Sequence, residues 1–450
     1  MLNTRTFSGG LHPPDLKTTG GAAIIPLPPP KKVVIPLSQH IGAPGKPLVT
    51  VGATVEKGQP LSEPNGFVSA PVHASIAGKV VAVGNFMHPF GIASTAIVIE
   101  GTGEPEPPLS PVATDGLSLP DEEIKKRIQA AGVVGMGGAT FPTHVKLSPP
   151  ASKPIDTVIL NGVECEPALT ADHRLMLEEP DKIISGLKLV MKVLKAKRGY
   201  IGIENNKPDA IRLLDEKLRG EENLAVAPLE VKYPQGGEKQ LIAAILDREV
   251  PSGGLPMDVG VVVQNVATAA AIHDAVFHQL PLIERVVTLA GSCVKNPGNY
   301  RVRIGTPVNE FIAAAGGLKP EVPLAKVISG GPMMGLALFD LAVPVIKGTS
   351  GILCWSAQEA ALRPETTCIR CGRCIEACPM RLLPQRLKTL VDHQRWAQAY
   401  ELGILDCMEC GCCAYTCPAN LPLVQSFKLG KKVVFAERKR EADAQKAKGK

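Results

Sequence analysis

Cys368-Ile369-Arg370-Cys371-Gly372-Arg373-Cys374-Ile375-Glu376-Ala377-Cys378-Pro379 and Cys407-Met408-Glu409-Cys410-Gly411-Cys412-Cys413-Ala414-Tyr415-Thr416-Cys417-Pro418 repeat one spacing, Cys-x2-Cys-x2-Cys-x3-Cys-Pro. Nine of the twelve cysteines lie between Cys368 and Cys417. Disulfides are not expected. The first residues, Met1 to Lys17, are polar and hold Pro13 and Pro14 where a secretion signal needs an apolar core, and a chain kept inside the cell keeps its thiols reduced. Zinc fits poorly, since a zinc site takes four ligands and has no use for this whole spacing twice over.

The spacing is that of a two-cluster ferredoxin, in which a short loop supplies three thiolates to one cubane and the fourth cysteine reaches the other. It assigns Cys368, Cys371, Cys374 and Cys417 to one 4Fe-4S cluster, and Cys378, Cys407, Cys410 and Cys413 to the second. Gly372 and Gly411 are expected where backbone amides approach the sulfides. Cys412 has Arg373 as its counterpart and reads as a bystander. Cys165, Cys293 and Cys354 are isolated and read as packed small residues, and the nine histidines show no pair at ligand spacing on one element. Leu383, Leu387, Leu390 and Val391 between the two motifs are spaced as on a helix. Two cubanes form a wire for single electrons; a nicotinamide delivers electrons in pairs, so a flavin is expected between them.

Upstream the pattern changes. Residues 1–32 read as an extended lead-in rich in Pro and Gly. In residues 33–103 the β-type runs Val33–Ile35, Leu48–Val51, Lys79–Val83 and Ala96–Ile99 alternate with Gly and Pro turns, which predicts a small all-β domain. A Pro-rich linker spans 104–120, and Ser118 looks like the N-cap of a helix ending near Gly132. In 121–285 strands and helices alternate: strand Asp156–Leu160, helix 180–196, strand Tyr200–Glu204, helix 207–219, strand Leu229–Tyr233, helix 237–246, strand Val259–Gln264 and helix 266–277. That order predicts a mostly parallel sheet covered by helices, with ligands at the carboxyl ends of its strands. Residues 286–355 read as a small α+β module with a turn at Asn296–Asn299, 358–427 as the cluster domain, and 428–450 as a basic tail.

Composition agrees with a multidomain chain. The 450 residues are 45% apolar and 20% charged, enough for packed cores, and 44 glycines and 41 prolines favour turns and strand ends over a helical bundle. The net charge of +6 belongs to the tail: before Lys428 there are 40 basic and 40 acidic residues. With aromatic residues at 4%, stacking platforms are scarce and no nucleic-acid partner is expected. The longest apolar run, Val259–Ile272, is interrupted by Gln264 and Asn265 and falls short of a membrane span.

Gly135-Met136-Gly137-Gly138-Ala139-Thr140-Phe141-Pro142-Thr143-His144-Val145-Lys146 joins a glycine-rich loop to an aromatic residue and a lysine, without the Rossmann fingerprint, since Thr140 stands at the third glycine. This loop resembles that of the flavin-binding subunit of respiratory complex I, as do Asn161-Gly162-Val163-Glu164-Cys165-Glu166-Pro167, Tyr233-Pro234-Gln235-Gly236-Gly237-Glu238-Lys239-Gln240-Leu241 and Gln264-Asn265-Val266-Ala267-Thr268. With Gly10–Pro14, Thr170–Arg174, Gly330–Gly335 and the two cysteine motifs in that order, nearly the whole chain resembles the RnfC/RsxC family of the Rnf (or Rsx) ion-translocating electron-transport complexes.

The resemblance implies a multidomain α/β fold. It comprises an N-terminal β barrel-sandwich (lipoyl-like) domain, an α/β flavin and NADH-binding domain like that of the complex I flavoprotein, a β-grasp module and a mainly helical dicluster ferredoxin domain. It implies non-covalent FMN held by Gly135, Gly137, Gly138, Asn161, Glu164, Tyr233, Gly236, Asn265 and Thr268, and NAD(H) as substrate held by Phe141, Lys146, Glu166 and Glu238. Read by itself, either Glu164 or Glu166 could equally be a solvated loop acid. Two departures stand out: the family usually has glycine where Thr140 is, which bears on nucleotide or flavin retention, and complex I has an acid at Gly237. At the hairpin where lipoyl carriers place their modified lysine this chain has Pro64-Asn65-Gly66, so no prosthetic arm is expected. The implied function is that of a peripheral component on the cytoplasmic face of the bacterial inner membrane. Its partners are the membrane and iron-sulfur subunits of the same complex. A soluble reductase like the cobalamin reductases of microcompartments is the alternative, disfavoured because those place the carrier-like domain after the clusters. The tail reads either as a solvated helical end or as a contact for anionic lipid or an acidic partner.

Overall fold

The computed structural model describes residues 5–101 and 109–448; part of the Pro-rich 104–120 stretch lies outside them. The first sheet has the strand order Lys32–Pro36, Ala93–Gly101, Gly78–Met87 and Thr54–Val55, all antiparallel. Val33, Ile35, Leu61, Val72, Ile76, Val80, Ile97 and Ile99 close its core. The Leu48–Val51 strand does not form. Leu48 and Val51 stand exposed at 55% and 61%, and only Lys46–Pro47 pairs, with Ser62–Glu63; β-type residues with no covered face bury too little to hold a strand.

The central sheet is parallel, in the order Leu224–Leu229, Arg198–Glu204, Thr157–Asn161 and Val261–Asn265. Its strands Thr157–Asn161 and Val261–Asn265 are buried on both faces, hence their continuous apolar runs. Helices Pro180–Leu194, Pro208–Lys217, Glu238–Leu246 and Val266–Phe277 cover it. The register aligns Asn161 with Asn265 at the carboxyl ends of neighbouring strands.

Two sequence expectations fail here. The third strand is Leu224–Leu229, not Leu229–Tyr233, because the later residues pair elsewhere: Glu230 N–H donates to Arg5 C=O, and Tyr233 and Leu11 exchange both backbone hydrogen bonds at 2.8 Å. Ser118 is no N-cap. Its hydroxyl bonds Asp115 C=O, and the helix Asp121–Ala130 starts after Pro120 with its orphan amides facing three first-turn acids.

A mixed six-stranded sheet follows, ordered Ile24–Pro26, Gly298–Arg303, Glu284–Ala290, Gly351–Ser356, Leu324–Ser329 and Leu336–Ala337. Its edge strand comes from the N-terminal segment, which is therefore an integral part of the structure. Helix Val308–Ala314 packs on this sheet through Phe311 and Ile312. The cysteine segment is helical: Arg373–Glu376, Pro384–Asp392, Trp396–Glu401, Cys412–Tyr415 and Leu423–Lys448. The last helix anchors through Leu423, Phe427 and Val434, so the basic tail continues an element that begins in the cluster core.

Lys347 joins the units. It is 1% exposed, and its Nζ donates to Pro71 C=O at 2.8 Å and Gly132 C=O at 2.6 Å, linking the β domain to the start of the glycine-rich loop. Burial pushes its pKa down from 10.5 to about 7. In the unfolded chain the amine stays protonated up to its ordinary pKa, so between pH 7 and about 10 the unfolded state holds more protons and stability rises with pH. Neighbouring His40 and His73 are shifted below their ordinary value, His73 to about 3, and stay neutral in that window. Unfolding free energies of Lys347→Met from urea titration are therefore expected to rise less steeply than wild type from pH 7 to 9, by at most about 1.4 kcal/mol per pH unit; identical slopes would contradict the assignment.

Candidate functional site

The glycine-rich loop is held from below by backbone and buried side chains. Gly135 N–H donates to Phe141 C=O at 2.9 Å, Met136 N–H to Thr268 Oγ1 at 2.9 Å, and Arg285 Nη2 to Met136 C=O at 3.3 Å. Asn265 caps helix Val266–Phe277, its Oδ1 accepting from Ala267 N–H at 2.8 Å and Thr268 N–H at 3.4 Å, while its Nδ2 donates to Asp172 at 2.7 Å. Gly137 lies against that amide: a Cβ there would come within 2.8 Å of Asn265 Nδ2. Around Gly138 the space is open, as a loop that must admit a ligand requires. Thr140 adopts φ +52°, the left-handed region, with its methyl toward Gly348. The glycine usual in the family would sit there without strain; threonine is accommodated at a cost of about 1 kcal/mol.

A second group converges from the other strand ends. Asn161 Nδ2 donates to Gly236 C=O at 2.8 Å, and Gly236 N–H to Cys165 Sγ at 3.3 Å, so Cys165, packed against the neighbouring core as its sequence reading has it, also contacts this loop. Lys146 and Glu238 pair with each other at 2.7 Å, and Phe141, five residues before Lys146, is half-buried.

Both loop carboxylates have structural partners, unlike solvated loop acids. Glu164 accepts from Asp172 N–H at 2.8 Å and His173 N–H at 3.2 Å, at the start of helix Ala171–Glu178. Glu166 accepts from Met333 N–H at 3.0 Å and Met334 N–H at 2.8 Å, and burial pushes its carboxyl up. Burial, with the nearby Glu164 charge, lifts Asp172 to about 7.

Two lysines that the sequence does not single out fix the same loop. Lys17 Nζ donates to the carbonyls of Glu164 (2.8 Å), Glu166 (3.0 Å) and Leu169 (2.6 Å). Lys207 Nζ, fully buried, donates to Val163 C=O at 2.7 Å and pairs with Glu204. A buried ammonium is tolerated where carbonyls replace its lost water. The only sequence signal for Lys17 is the Gly10–Pro14 stretch nearby.

Tyr233 packs against the cluster segment, with Ala377, Cys410 and Cys412. It is 1% exposed, and its hydroxyl donates to Cys410 C=O at 2.7 Å. Cys378, Cys407, Cys410 and Cys413 line one pocket with Pro379, Met408 and Phe427, bringing the last cysteine of the first motif to the first three of the second. Cys371 and Cys417 are near enough to raise the Cys374 thiol further after burial. Burial lifts Cys407 to about 11, a penalty on unbound thiolate that iron ligation relieves. Gly372 and Gly411 cap the short helices at φ +81° and +85°, and the residues two before them, Arg370 and Glu409, are also left-handed. The two repeats thus share one backbone path, which leaves amides free to face sulfide. Cys368 and Cys371 are exposed; Cys410 and Cys413 are buried. Cys412 is buried, and its thiol points to Tyr233 C=O at 3.9 Å. Thiols grouped in this way fit iron-sulfur cubanes, and the open loop above Asn265 and Thr268 fits a flavin phosphate.

No two histidines share an element at ligand spacing, but the end of one helix brings two together in space. His273 and His278, five apart on and just beyond one helix, lie beside Asp274 with ligand atoms within 4.8 Å of one another. His278 is the C-cap, and its non-helical backbone brings its ring back.

Comparison with known proteins agrees with this layout. Residues 5–104 match the model of the RnfC barrel sandwich hybrid domain, 128–274 the Nuo51 FMN-binding domain, 286–337 the SLBB domain and 367–421 a 4Fe-4S dicluster domain. The chain is 47% identical to the C subunit of the Na+-translocating ferredoxin:NAD+ oxidoreductase complex of Acetobacterium woodii, over 97% of this chain and 98% of that one. It is 48% identical to the proton-translocating counterpart of Clostridium ljungdahlii over 88% and 87%. Identity to the C subunit of the ion-translocating oxidoreductase complex of Rhodobacter capsulatus is 41% over 96% and 83%.

Gly137→Ala is expected to displace Asn265 and weaken FMN binding about tenfold or more, roughly 1.4 kcal/mol, with iron content unchanged. Flavin fluorescence titration checks this; unaltered affinity would contradict it.

Proposed function

The chain belongs to the family of C subunits of ion-translocating ferredoxin:NAD+ oxidoreductase complexes, and we propose that it carries electrons between NAD(H) and the complex along one defined path. It is an oxidoreductase component of a membrane-bound complex that couples electron transfer to ion movement, with FMN, two 4Fe-4S clusters and NAD(H) as its redox groups. When bound, FMN takes the electron pair of a hydride and passes single electrons to the clusters.

The protein's own groups divide the work. Amides of Gly137 and Gly138, above the positive end of helix Val266–Phe277, receive the FMN phosphate, while Gly135 shapes the loop through its hydrogen bond to Phe141 C=O and Asn265 and Thr268 keep it in place. Asn161 and Gly236 hold the opposite edge. The Lys146–Glu238 pair and Phe141 face the nicotinamide nucleotide, Lys146 toward its phosphates and the ring of Phe141 by stacking. Glu164 and Glu166 act indirectly, by fixing the loop that carries them. Tyr233 belongs to the link toward the clusters.

The observation that carries the path is the Tyr233 hydroxyl on Cys410 C=O. On this reading Cys378, Cys407, Cys410 and Cys413 are the ligands of the cluster nearer the flavin, and Cys368, Cys371, Cys374 and Cys417 those of the outer cluster, whose exposed Cys368 and Cys371 side faces a redox partner. No helix among the described residues is long and apolar enough to cross a membrane. Attachment therefore runs through the membrane and iron-sulfur subunits, and we place the protein peripherally on the cytoplasmic face. Similarity over almost the whole of the relatives' length disfavours the cobalamin-reductase reading.

Cys378→Ser is expected to lower iron from about eight to about four per chain, to leave NADH reduction of the flavin intact, and to slow onward transfer at least about a hundredfold. Iron analysis with stopped-flow absorbance checks this. Full iron content, or unimpaired onward transfer, would defeat the proposed path.

A further inference from the structure

We propose that His273, Asp274 and His278 bind one divalent ion of the zinc class, with water completing the coordination. One ligand atom from each residue lies within 4.8 Å of the others. Tetrahedral zinc with bonds of about 2.1 Å needs separations of roughly 3.4 Å, so small side-chain rotations close the site.

Several independent features prepare these atoms as ligands. His273 Nδ1 is bonded to Ser185 Oγ at 2.8 Å, which fixes the ring and leaves Nε2 for the ion, the arrangement that metal-bound imidazoles generally have. The ring is held further by stacking on Phe277 at 4.7 Å and by the edge of His278 at 5.2 Å. His278 Nδ1 is buried with no hydrogen-bond partner, and so is Asp274 Oδ1, which has only the ion-pair contact to Lys182 at 3.1 Å. Buried polar atoms left without hydrogen bonds call for an explanation, and a shared cation supplies it.

The donor set selects the ion class. Two imidazoles and one carboxylate suit zinc and its neighbours, while calcium and magnesium prefer oxygen. Lys182 competes for the carboxylate, but it also pairs with Glu179 at 3.1 Å and can stay there when the ion takes Asp274. The site pins the C-cap His278 to the last turns of helix Val266–Phe277, at the end opposite the Asn265 cap and about 18 Å from it along the axis. Zinc has no redox chemistry, so its role there is to stiffen the helix that supports the flavin loop.

The test uses the full chain with clusters intact, dialysed anaerobically against buffered Zn2+, with zinc and iron measured together by mass spectrometry. Wild type is expected to hold one zinc per chain at undiminished iron. His273→Gln and His278→Gln should each weaken binding about tenfold or more. Lys182→Met, which removes the competing ammonium and needs no ligand to be altered, should tighten it several-fold. Absence of zinc in wild type would overturn the proposal. So would wild-type affinity retained in both histidine variants, or zinc that rises only as iron falls, the mark of capture by the cysteines.

Discussion

The hydrogen bond from the Tyr233 hydroxyl to Cys410 C=O is the constraint on which the electron path rests. Electron transfer between fixed centres needs a short, rigid separation, and this contact ties a residue of the nucleotide domain to the backbone of Cys410, a ligand in the proposed path. The side chain has no freedom to leave. Tyr233 is clamped in both backbone directions by Leu11, and burial with the nearby acids and thiols pushes its pKa above the ordinary range, so it stays a neutral donor. The N-terminal segment extends the clamp: Gly10 N–H donates to Ala377 C=O, and Gly9 lies so close to Cys378 C=O that a Cβ would collide at 2.7 Å. Here glycine is required by close approach as well as by its φ of +81°.

A second principle recurs beneath the nucleotide site: buried cations spent on backbone carbonyls. Lys17, Lys207, Arg285 and Lys347 all donate to loop carbonyls within or beside the two ligand-binding loops. Turning carbonyls inward toward these cations leaves amides available on the other side, where an anionic cofactor is received. The desolvation of these groups, relieved at Lys347 by loss of its proton above about pH 7, is a substantial cost, offset by the strong hydrogen bonds each of them makes. That cost is tolerated where a loop must keep a shape its own turns do not fix.

What the sequence discloses follows from how local each feature is. The cysteine repeats carry their own backbone path, down to left-handed Arg370 and Glu409 at matching places, so they are legible without the fold. The alternation of strands and helices from 157 to 277 is likewise local, and the carboxyl-end placement of Asn161 and Asn265 follows from it. Long-range pairings are the illegible part. Leu229–Tyr233 reads as a strand of the central sheet, yet the partner of Tyr233 is Leu11, more than two hundred residues away. Lys17 lies in a segment that reads as a lead-in, and nothing near it in sequence announces the three carbonyls it serves. His278 escapes notice because a five-residue spacing from His273 does not share a helix face; only the end of the helix lets the two rings meet.

The central claim is that electrons entering at the nucleotide site reach two cubanes in series. Electron paramagnetic resonance on anaerobic protein, frozen at successive times after mixing with NADH, tests it most directly. The account predicts two reduced 4Fe-4S signals, broadened by mutual coupling, that grow in as the flavin is oxidised again. A flavin that is reduced while no iron-sulfur signal ever develops would contradict it.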